Sequence, residues 1–87
     1  MVTELYDHED VYDNEISPLM KQIIDICNTH KIPMICSFAY QNNKSRGLGH
    51  CDTILNSYEN RMVQMFYDAY SLIHNRKHFA YGLKITQ

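Results

Sequence analysis

The chain lacks the features that mark exported, membrane-spanning and disulfide-stabilised proteins. None of its windows approaches the roughly 18 consecutive apolar residues of a transmembrane helix. The N-terminal stretch MVTELYDHED is acidic and has no apolar segment of the kind found in signal peptides. The three cysteines form neither a CxxC pair nor a disulfide framework. We therefore expect a cytoplasmic protein with reduced thiols and no membrane partner.

Glycine and tryptophan are also scarce, with three and none. The phosphate-binding patterns GxGxxG and GxxxxGK[ST] are both absent from the sequence. The chain does have an ordinary hydrophobic content, 45% of 87 residues, which is enough for one core and too little for two. Composition thus predicts one small globular domain.

Charge is distributed unevenly, although the net charge is only −2. Residues 1–15 contain no lysine or arginine and six of the ten acids, namely Glu4, Asp7, Glu9, Asp10, Asp13 and Glu15. The apolar residues of this segment are too sparse for a core face. We interpret residues 1–15 as an acidic arm, either disordered or laid over the body, and residues 16–87 as a single α+β domain.

The first two predicted elements follow the acidic arm. Ser17 and Pro18 are typical of a helix start, with serine as the N-cap. Apolar residues then recur at helical spacing over residues 19–27. Over residues 32–40, large apolar residues alternate with smaller ones, which predicts a strand.

The second half of the chain predicts a loop, a strand, a helix and a strand. Residues 42–48 lack periodicity and carry turn-forming residues, so we expect a mobile hairpin loop there. Residues 50–55 predict the second strand. Asn56 and Glu59 have the spacing of a capping box that opens an amphipathic helix. Alternating residues at 79–85 predict a third strand.

These elements predict an α+β fold with the order α-β-β-α-β. Two helices on one face of a three-stranded, mainly antiparallel sheet is the simplest arrangement that buries their apolar stripes. In that arrangement Met62, Phe66 and Ile73 should be almost fully buried against Phe38 and Leu83.

The segment between the first two strands holds the candidates for ligand binding. Lys44 and Arg46 could neutralise a phosphate or carboxylate, and Tyr40 could stack on a base with His50 nearby. Three interpretations stay open. The segment binds an anionic small molecule, contacts a protein, or serves as a solvated connection.

The histidine and cysteine pairs offer little chemistry. Cys27 and His30 lie one helical turn apart, and His50 adjoins Cys51. On a strand, His50 and Cys51 point to opposite sides, which disfavours both a zinc site and a Cys–His nucleophile. We therefore predict no metal site, no cofactor and no enzymatic activity.

The acidic arm offers a different function, because a run of carboxylates can imitate a polyanion. Asp7, Glu9, Asp10 and Asp13 are candidates for contact with a basic groove on a partner protein. The same carboxylates repel a polyanion, so duplex nucleic acid is not the expected partner.

Tyr67 and Tyr70 lie beside the core stripe of the second predicted helix. Tyrosines on a helix flank are common at protein interfaces. We therefore take both as candidates for a partner contact, including contact with a second copy of the chain.

The stretch IPMICSFAY, the polar loop after it and the strand that contains CDT resemble small phage-encoded proteins. These similarly carry a helix, an IPM-x-x-S-F strand, a Cys-Asp/Thr-Thr strand and a second helix. The resemblance covers residues 16–75 and excludes the acidic arm. It implies a host-takeover or anti-defence protein, a non-enzymatic inhibitor or adaptor that binds and blocks a host component. The alternative is a small-molecule binder that sequesters a phosphate-bearing ligand such as a nucleotide second messenger.

Overall fold

The computed structural model describes residues 3–74 and the backbone of residues 84–86. Within these ranges, no helix has the length and hydropathy that a membrane span demands. The elements in chain order are β1 (Tyr6–Asp7), α1 (Glu9–Val11), a π-helical turn (Tyr12–Ile16), α2 (Ser17–His30), β2 (Met34–Asn43), β3 (Gly47–Leu55), α3 (Gln64–His74) and β4 (Lys84–Thr86).

The strands form one sheet in the order β1-β2-β3-β4. β2 pairs antiparallel with both β1 and β3, whereas β3 and β4 are parallel. Because parallel neighbours need a crossover connection, α3 serves as the link from β3 to β4. The predicted small single domain, the α+β class and the order of helices and strands are confirmed. The sheet gains an additional edge strand, β1, from the acidic segment, which is therefore laid over the body.

The helical path into α2 contains a π-helical turn rather than the predicted serine cap. Ile16 and Ser17 both have right-handed helical backbone angles, and no side chain caps α2. The backbone N–H of Ser17 donates to the carbonyl of Tyr12, five residues earlier. Pro18 explains the wider turn, because proline has no N–H to donate and its ring collides with the carbonyl four residues before it.

The connection between β2 and β3 is shorter than the predicted loop over residues 42–48. Asn43 still pairs with Gly47, so that only residues 44–46 form the turn. The Asn43 Oδ1 atom accepts hydrogen bonds from the backbone N–H groups of Ser45 (2.9 Å) and Arg46 (3.3 Å). Gly47 supplies a positive φ of 78°. This local turn chemistry lets both strands extend into the segment that has no apolar periodicity.

The hydrophobic core lies between β2, β3 and the π-helical turn. Phe38 is paired with Cys51 in the ladder, and the two residues share a face of the sheet. Tyr12, Tyr40 and Cys51 are buried there, with Ile16 and Phe38 packed against them. The acidic segment, whose apolar residues we judged too sparse for a core face, thus supplies a core residue. A buried aromatic side chain removes about as much apolar area from water as several small apolar residues do. A segment with few apolar positions can therefore still contribute to the hydrophobic core.

The second long helix contacts the other face of the sheet. His74 of α3 lies beside Asp52, which points away from the face of Cys51 because successive strand residues alternate. Helix α3 therefore lies on the face of the sheet opposite to Tyr12. Phe66 and Ile73 are only half-buried and Met62 is 65% exposed, so the predicted deep burial of these residues is wrong. Leu83 lies outside the described residues.

Asn56 organises the segment before α3 in a way the capping-box pattern does not predict. Its Oδ1 atom accepts a hydrogen bond from the N–H of Val63 (2.9 Å), and its Nδ2 atom donates to the carbonyl of Val63 (2.8 Å). The two bonds close a loop over residues 56–63, and α3 begins only at Gln64. Asn56 is 3% exposed, so this side chain satisfies backbone groups that would otherwise be buried without partners.

Candidate interaction surfaces and a buried polar cluster

The acidic segment is fixed on the sheet by backbone and side-chain contacts. Tyr6 and Asp7 pair with Asn42 and Gln41 in the antiparallel ladder. At the next residue, the N–H of His8 donates to the carbonyl of Tyr40 at 2.7 Å. These contacts set the position of the helical residues that follow.

Tyr12 is the principal anchor of the segment. It is only 6% exposed, and its hydroxyl donates to the sulfur of Cys51 at 3.0 Å. Its ring centroid lies 5.6 Å from that of Phe38 and 5.8 Å from that of Tyr40, in tilted arrangements that aromatic pairs favour. The carboxylates on either side of Tyr12 are therefore displayed from a rigid base.

The four acidic candidates for partner contact divide into two pairs. Asp7 and Glu9 are turned toward the sheet, where Gln41 Nε2 donates to Asp7 Oδ1 (3.2 Å) and to Glu9 Oε1 (3.5 Å). Asp10 and Asp13 are exposed, three residues apart on the helical stretch. Residues at this spacing are neighbours on a helix surface, so these two carboxylates form one negative patch.

Gly49 leaves space for the side chain of Gln41, which contacts the acidic segment. A Cβ atom at this position would lie 2.8 Å from Cγ of Gln41 and 3.2 Å from the ring of Tyr40. The absence of a side chain leaves room for Gln41, which is 7% exposed and reaches the carboxylates of the acidic segment. The glycine therefore permits the close packing that holds the edge of the sheet.

The four candidates for ligand binding are not brought together. Tyr40 is buried in the core among aromatic rings, and His50 is buried on the opposite face of the sheet. Lys44 and Arg46 are exposed in the hairpin turn. Of the four, only Lys44 and Arg46 have exposed side chains.

A buried polar cluster surrounds Asp52, which is fully buried. Its Oδ1 atom accepts a hydrogen bond from Ser37 Oγ at 2.5 Å and lies 2.9 Å from Nδ1 of His50. Its Oδ2 atom lies 3.5 Å from Nε2 of His74, and neither of these two atoms has a hydrogen-bond partner within residues 3–74. The carboxylate thus joins both strands of the hairpin to the C-terminal turn of α3.

Sequence reasoning missed Asp52 as a structural centre, although a signal was present. His50 and Asp52 are two residues apart on a strand, so their side chains share a face. Ser37 lies opposite Asp52 in the ladder, which places its hydroxyl within reach of the carboxylate. The contact with His74 had no local signal, because it joins residues 22 positions apart in the sequence.

The cluster does not have the geometry of a nucleophilic site. Ser37 donates its hydrogen to the fully buried carboxylate of Asp52 and not to a histidine, so the serine–histidine pair of a hydrolase triad is not formed here. Among the residues that the structure describes, no group of three histidine, cysteine or acidic side chains is arranged to hold a metal ion. The arrangement is suited to holding elements together.

The three cysteines form no disulfide, and each lies in a different environment. Cys27 is buried on α2, and Cys51 accepts the hydrogen bond of Tyr12. Burial raises the pKa of the Cys36 thiol, and a hydrogen bond with Thr53 opposes that shift in part. A raised pKa leaves less thiolate at neutral pH, which makes Cys36 a poor nucleophile.

Helix α2 carries an exposed apolar stripe beside its buried one. Met20 and Cys27 are its buried residues. Leu19, Ile23 and Ile26 recur at i, i+4 and i+7 and are 57%, 44% and 57% exposed. Contiguous exposed apolar side chains on one helix face are typical of an interaction surface.

The tyrosine candidates on α3 are partly occupied within the chain. The Tyr67 hydroxyl donates to the carbonyl of Asn56 at 2.8 Å, and the side chain is 36% exposed. The Tyr70 ring lies 4.1 Å from the ring of His74 and is half-buried. The more exposed apolar residues of this region are Met62, Met65 and Leu72.

No protein-family model matches the chain, and no curated protein or solved structure is significantly similar to it. The resemblance to phage-encoded proteins and the function it implies therefore stay predictions. The residues of this chain alone carry the functional inference.

Proposed function

We propose that the protein is a non-enzymatic inhibitor or adaptor of phage type that binds a host protein stoichiometrically. The surface of contact is the acidic segment, with Asp10 and Asp13 at its centre, and the surface recognised is basic. The observation that carries the proposal is the anchoring of this segment by Tyr12, which fixes carboxylates that an unanchored arm would leave mobile.

Fixed carboxylates bind at a lower entropic cost than mobile ones. Ordering the backbone of a free segment costs roughly 1–2 kcal/mol per residue. Here the ladder contact at Asp7 and the buried ring of Tyr12 have already ordered the segment during folding. Preorganisation of this kind favours affinity without any additional contact.

The charge of the segment defines the chemistry of the partner. Residues 1–15 contain six acidic residues and no lysine or arginine, so the segment carries a net negative charge. A negative patch steers a basic protein toward the complex and raises its association rate at low salt. A basic groove that normally holds a polyanion is the surface that this patch would occupy and block.

The small-molecule alternative has less support. Its four residues do not converge, because Tyr40 and His50 are buried on opposite faces and away from the exposed Lys44 and Arg46. The arrangement of Ser37 with Asp52 likewise supports a structural role and not a catalytic one.

A pair of charge-matched variants tests the proposal. Asp10→Asn with Asp13→Asn removes the patch, whereas Asp25→Asn with Asp68→Asn removes two exposed carboxylates elsewhere and gives the same net charge. Each protein is used for affinity purification from host cells, and the host protein recovered with the wild type is then titrated against all three proteins. We expect about tenfold weaker binding for the first variant at low salt, since two exposed ion pairs contribute about 1.4 kcal/mol together.

The salt dependence and the control decide the outcome. The difference between wild type and the Asp10/Asp13 variant should shrink at high salt, where exposed charges are screened. Equal loss in both variants would assign the effect to net charge and contradict the proposal. Thermal stabilisation by a nucleotide, with no host protein bound, would favour the small-molecule alternative.

A further inference from the structure

The apolar face of α2 is wider than the surface the sheet covers. With about 100° per residue, its apolar side chains span about 160° of the helix circumference. Met20 and Cys27 occupy one half of this arc and are buried, whereas Leu19 and Ile26 occupy the other half and are 57% exposed. The uncovered half is a straight stripe along the outer side of the helix.

We propose that this stripe binds a second copy of the chain, with the two α2 helices antiparallel across a two-fold axis. Leu19 of each copy packs against Ile26 of the other, and Ile23 lies near the axis. A two-fold contact requires a surface that is complementary to itself, so that each contact occurs twice. The apolar stripe meets this requirement because it is nearly symmetric about its centre.

The charged residues at the two ends of the stripe favour a second copy of the chain in the antiparallel orientation. Glu15 precedes Leu19 by four residues, and His30 follows Ile26 by four, so both lie on the side of the stripe and both are exposed. The antiparallel register that pairs Leu19 with Ile26 places Glu15 of one copy opposite His30 and Lys31 of the other. A parallel register would instead place Glu15 against Glu15.

Positively charged groups lie at the C-terminal end of the stripe. Arg61 donates from Nη1 to the carbonyls of His30 (2.8 Å) and Lys31 (2.9 Å), which brings a guanidinium beside the end of α2. Lys31 itself is exposed next to these groups. The helix thus has an acidic start and a basic end, and two antiparallel copies complement each other at both ends.

The dimer surface includes Glu15 of the acidic segment but not Asp10 or Asp13, which lie at the centre of the proposed host-binding surface. Asp10 and Asp13 project from other sides of the helical stretch than Leu19 and Ile26, as the helical spacing requires. A dimer would therefore leave the acidic patch accessible and present it twice. The inference does not depend on the proposed function.

The test is the molecular mass of the full-length protein in solution, measured by sedimentation over a roughly hundredfold range of concentration. We expect a reversible monomer–dimer equilibrium with a dissociation constant in the micromolar range, because the stripe is smaller than the interface of a permanent dimer. A wild-type protein that stays monomeric over the whole range overturns the proposal.

Charge variants test the orientation without touching the core. Glu15→Lys should weaken the dimer about tenfold, since it introduces repulsion at both ends. Combining it with Lys31→Glu should restore the affinity, because the exchanged charges again attract. Lys21→Glu, at an exposed position away from the stripe, is the control that should leave the dimer unchanged. A double variant as weak as Glu15→Lys alone overturns the antiparallel contact.

The apolar stripe is tested with Ile23→Glu. Two glutamates near the axis should abolish the dimer while circular dichroism shows a folded monomer, because Ile23 is 44% exposed in the single chain. A dimer of unchanged strength in a folded Ile23→Glu protein overturns the proposal. If this variant does not fold, the charge-exchange pair decides the matter, since both of its positions are exposed.

Discussion

Replacing Tyr12 with alanine tests whether the acidic segment belongs to the folded core. Tyr12 is 6% exposed, and its ring packs against those of Phe38 and Tyr40. An aromatic side chain buries about 150–250 Å², which corresponds to an upper limit of about 4–6 kcal/mol. Since the surrounding side chains relax only in part, we expect Tyr12→Ala to lower the free energy of unfolding by about 3–5 kcal/mol. That loss is comparable to the whole stability of a domain this small, about 5 kcal/mol.

Replacing Tyr12 with phenylalanine separates the ring from its hydroxyl. The ring contacts stay, and the hydrogen bond to the sulfur of Cys51 is lost. Sulfur is a weak acceptor, so we expect a loss of about 0.5–1 kcal/mol and a melting temperature lower by several degrees. Tyr6→Phe is the matched control, because the Tyr6 hydroxyl donates to the carbonyl of Ala39 at an exposed position. Its effect should be smaller still.

The assay is urea unfolding followed by far-UV circular dichroism, with all variants measured at one protein concentration. The expected order of stability is wild type, Tyr6→Phe, Tyr12→Phe and, far below these, Tyr12→Ala. A Tyr12→Ala protein within about 1 kcal/mol of the wild type would refute the reasoning, because exposed positions typically give effects of this size. It would also remove the support for a preorganised acidic patch.

Three further predictions concern the hairpin and its thiol. Gly49→Ala should destabilise the protein by about 1–3 kcal/mol in chemical denaturation, because the new Cβ would lie 2.8 Å from Cγ of Gln41; an unchanged midpoint would show that Gln41 can move aside without cost. Changing both Lys44 and Arg46 to alanine should leave the melting temperature within a few degrees, since both are exposed in the turn. A larger decrease in calorimetry would mean that these cations stabilise the hairpin. Alkylation of Cys36 at neutral pH should be slower in the folded protein than in denaturant, because burial raises the pKa of its thiol and lowers the thiolate fraction. Equal rates by mass spectrometry would contradict this account.

Periodicity within single elements was sufficient to predict much of the fold. The alternation over residues 32–40 and 50–55 predicts the two central strands, which the structure has as β2 and β3. The spacing over residues 19–27 predicts α2, and α3 follows from the same argument. These patterns are local, and each shows which side chains of one helix or strand face the core and which face solvent.

The parts that sequence did not predict depend on contacts between distant positions. Tyr12 reaches Cys51 across 39 positions, and His74 reaches Asp52 across 22, so neither contact leaves a local pattern. The divided apolar face of α2 is a third example, because its spacing does not reveal that Met20 is buried while Leu19 is exposed. Local turn chemistry at Asn43 shortened the hairpin loop, and that signal was available in the sequence.

Polar contacts are important for the attachment of α3 to the face of the sheet that carries Asp52. No residue of α3 is fully buried, so apolar burial alone gives a weak and non-directional attachment. The polar contacts of α3 are the hydrogen bond from Tyr67 to the carbonyl of Asn56 and the approach of His74 to the buried carboxylate of Asp52. A buried carboxylate is costly without partners, so positions of α3 that move His74 away from it are disfavoured. The cluster around Asp52 therefore affects the position of α3 on the sheet more than the strength of its attachment to the sheet.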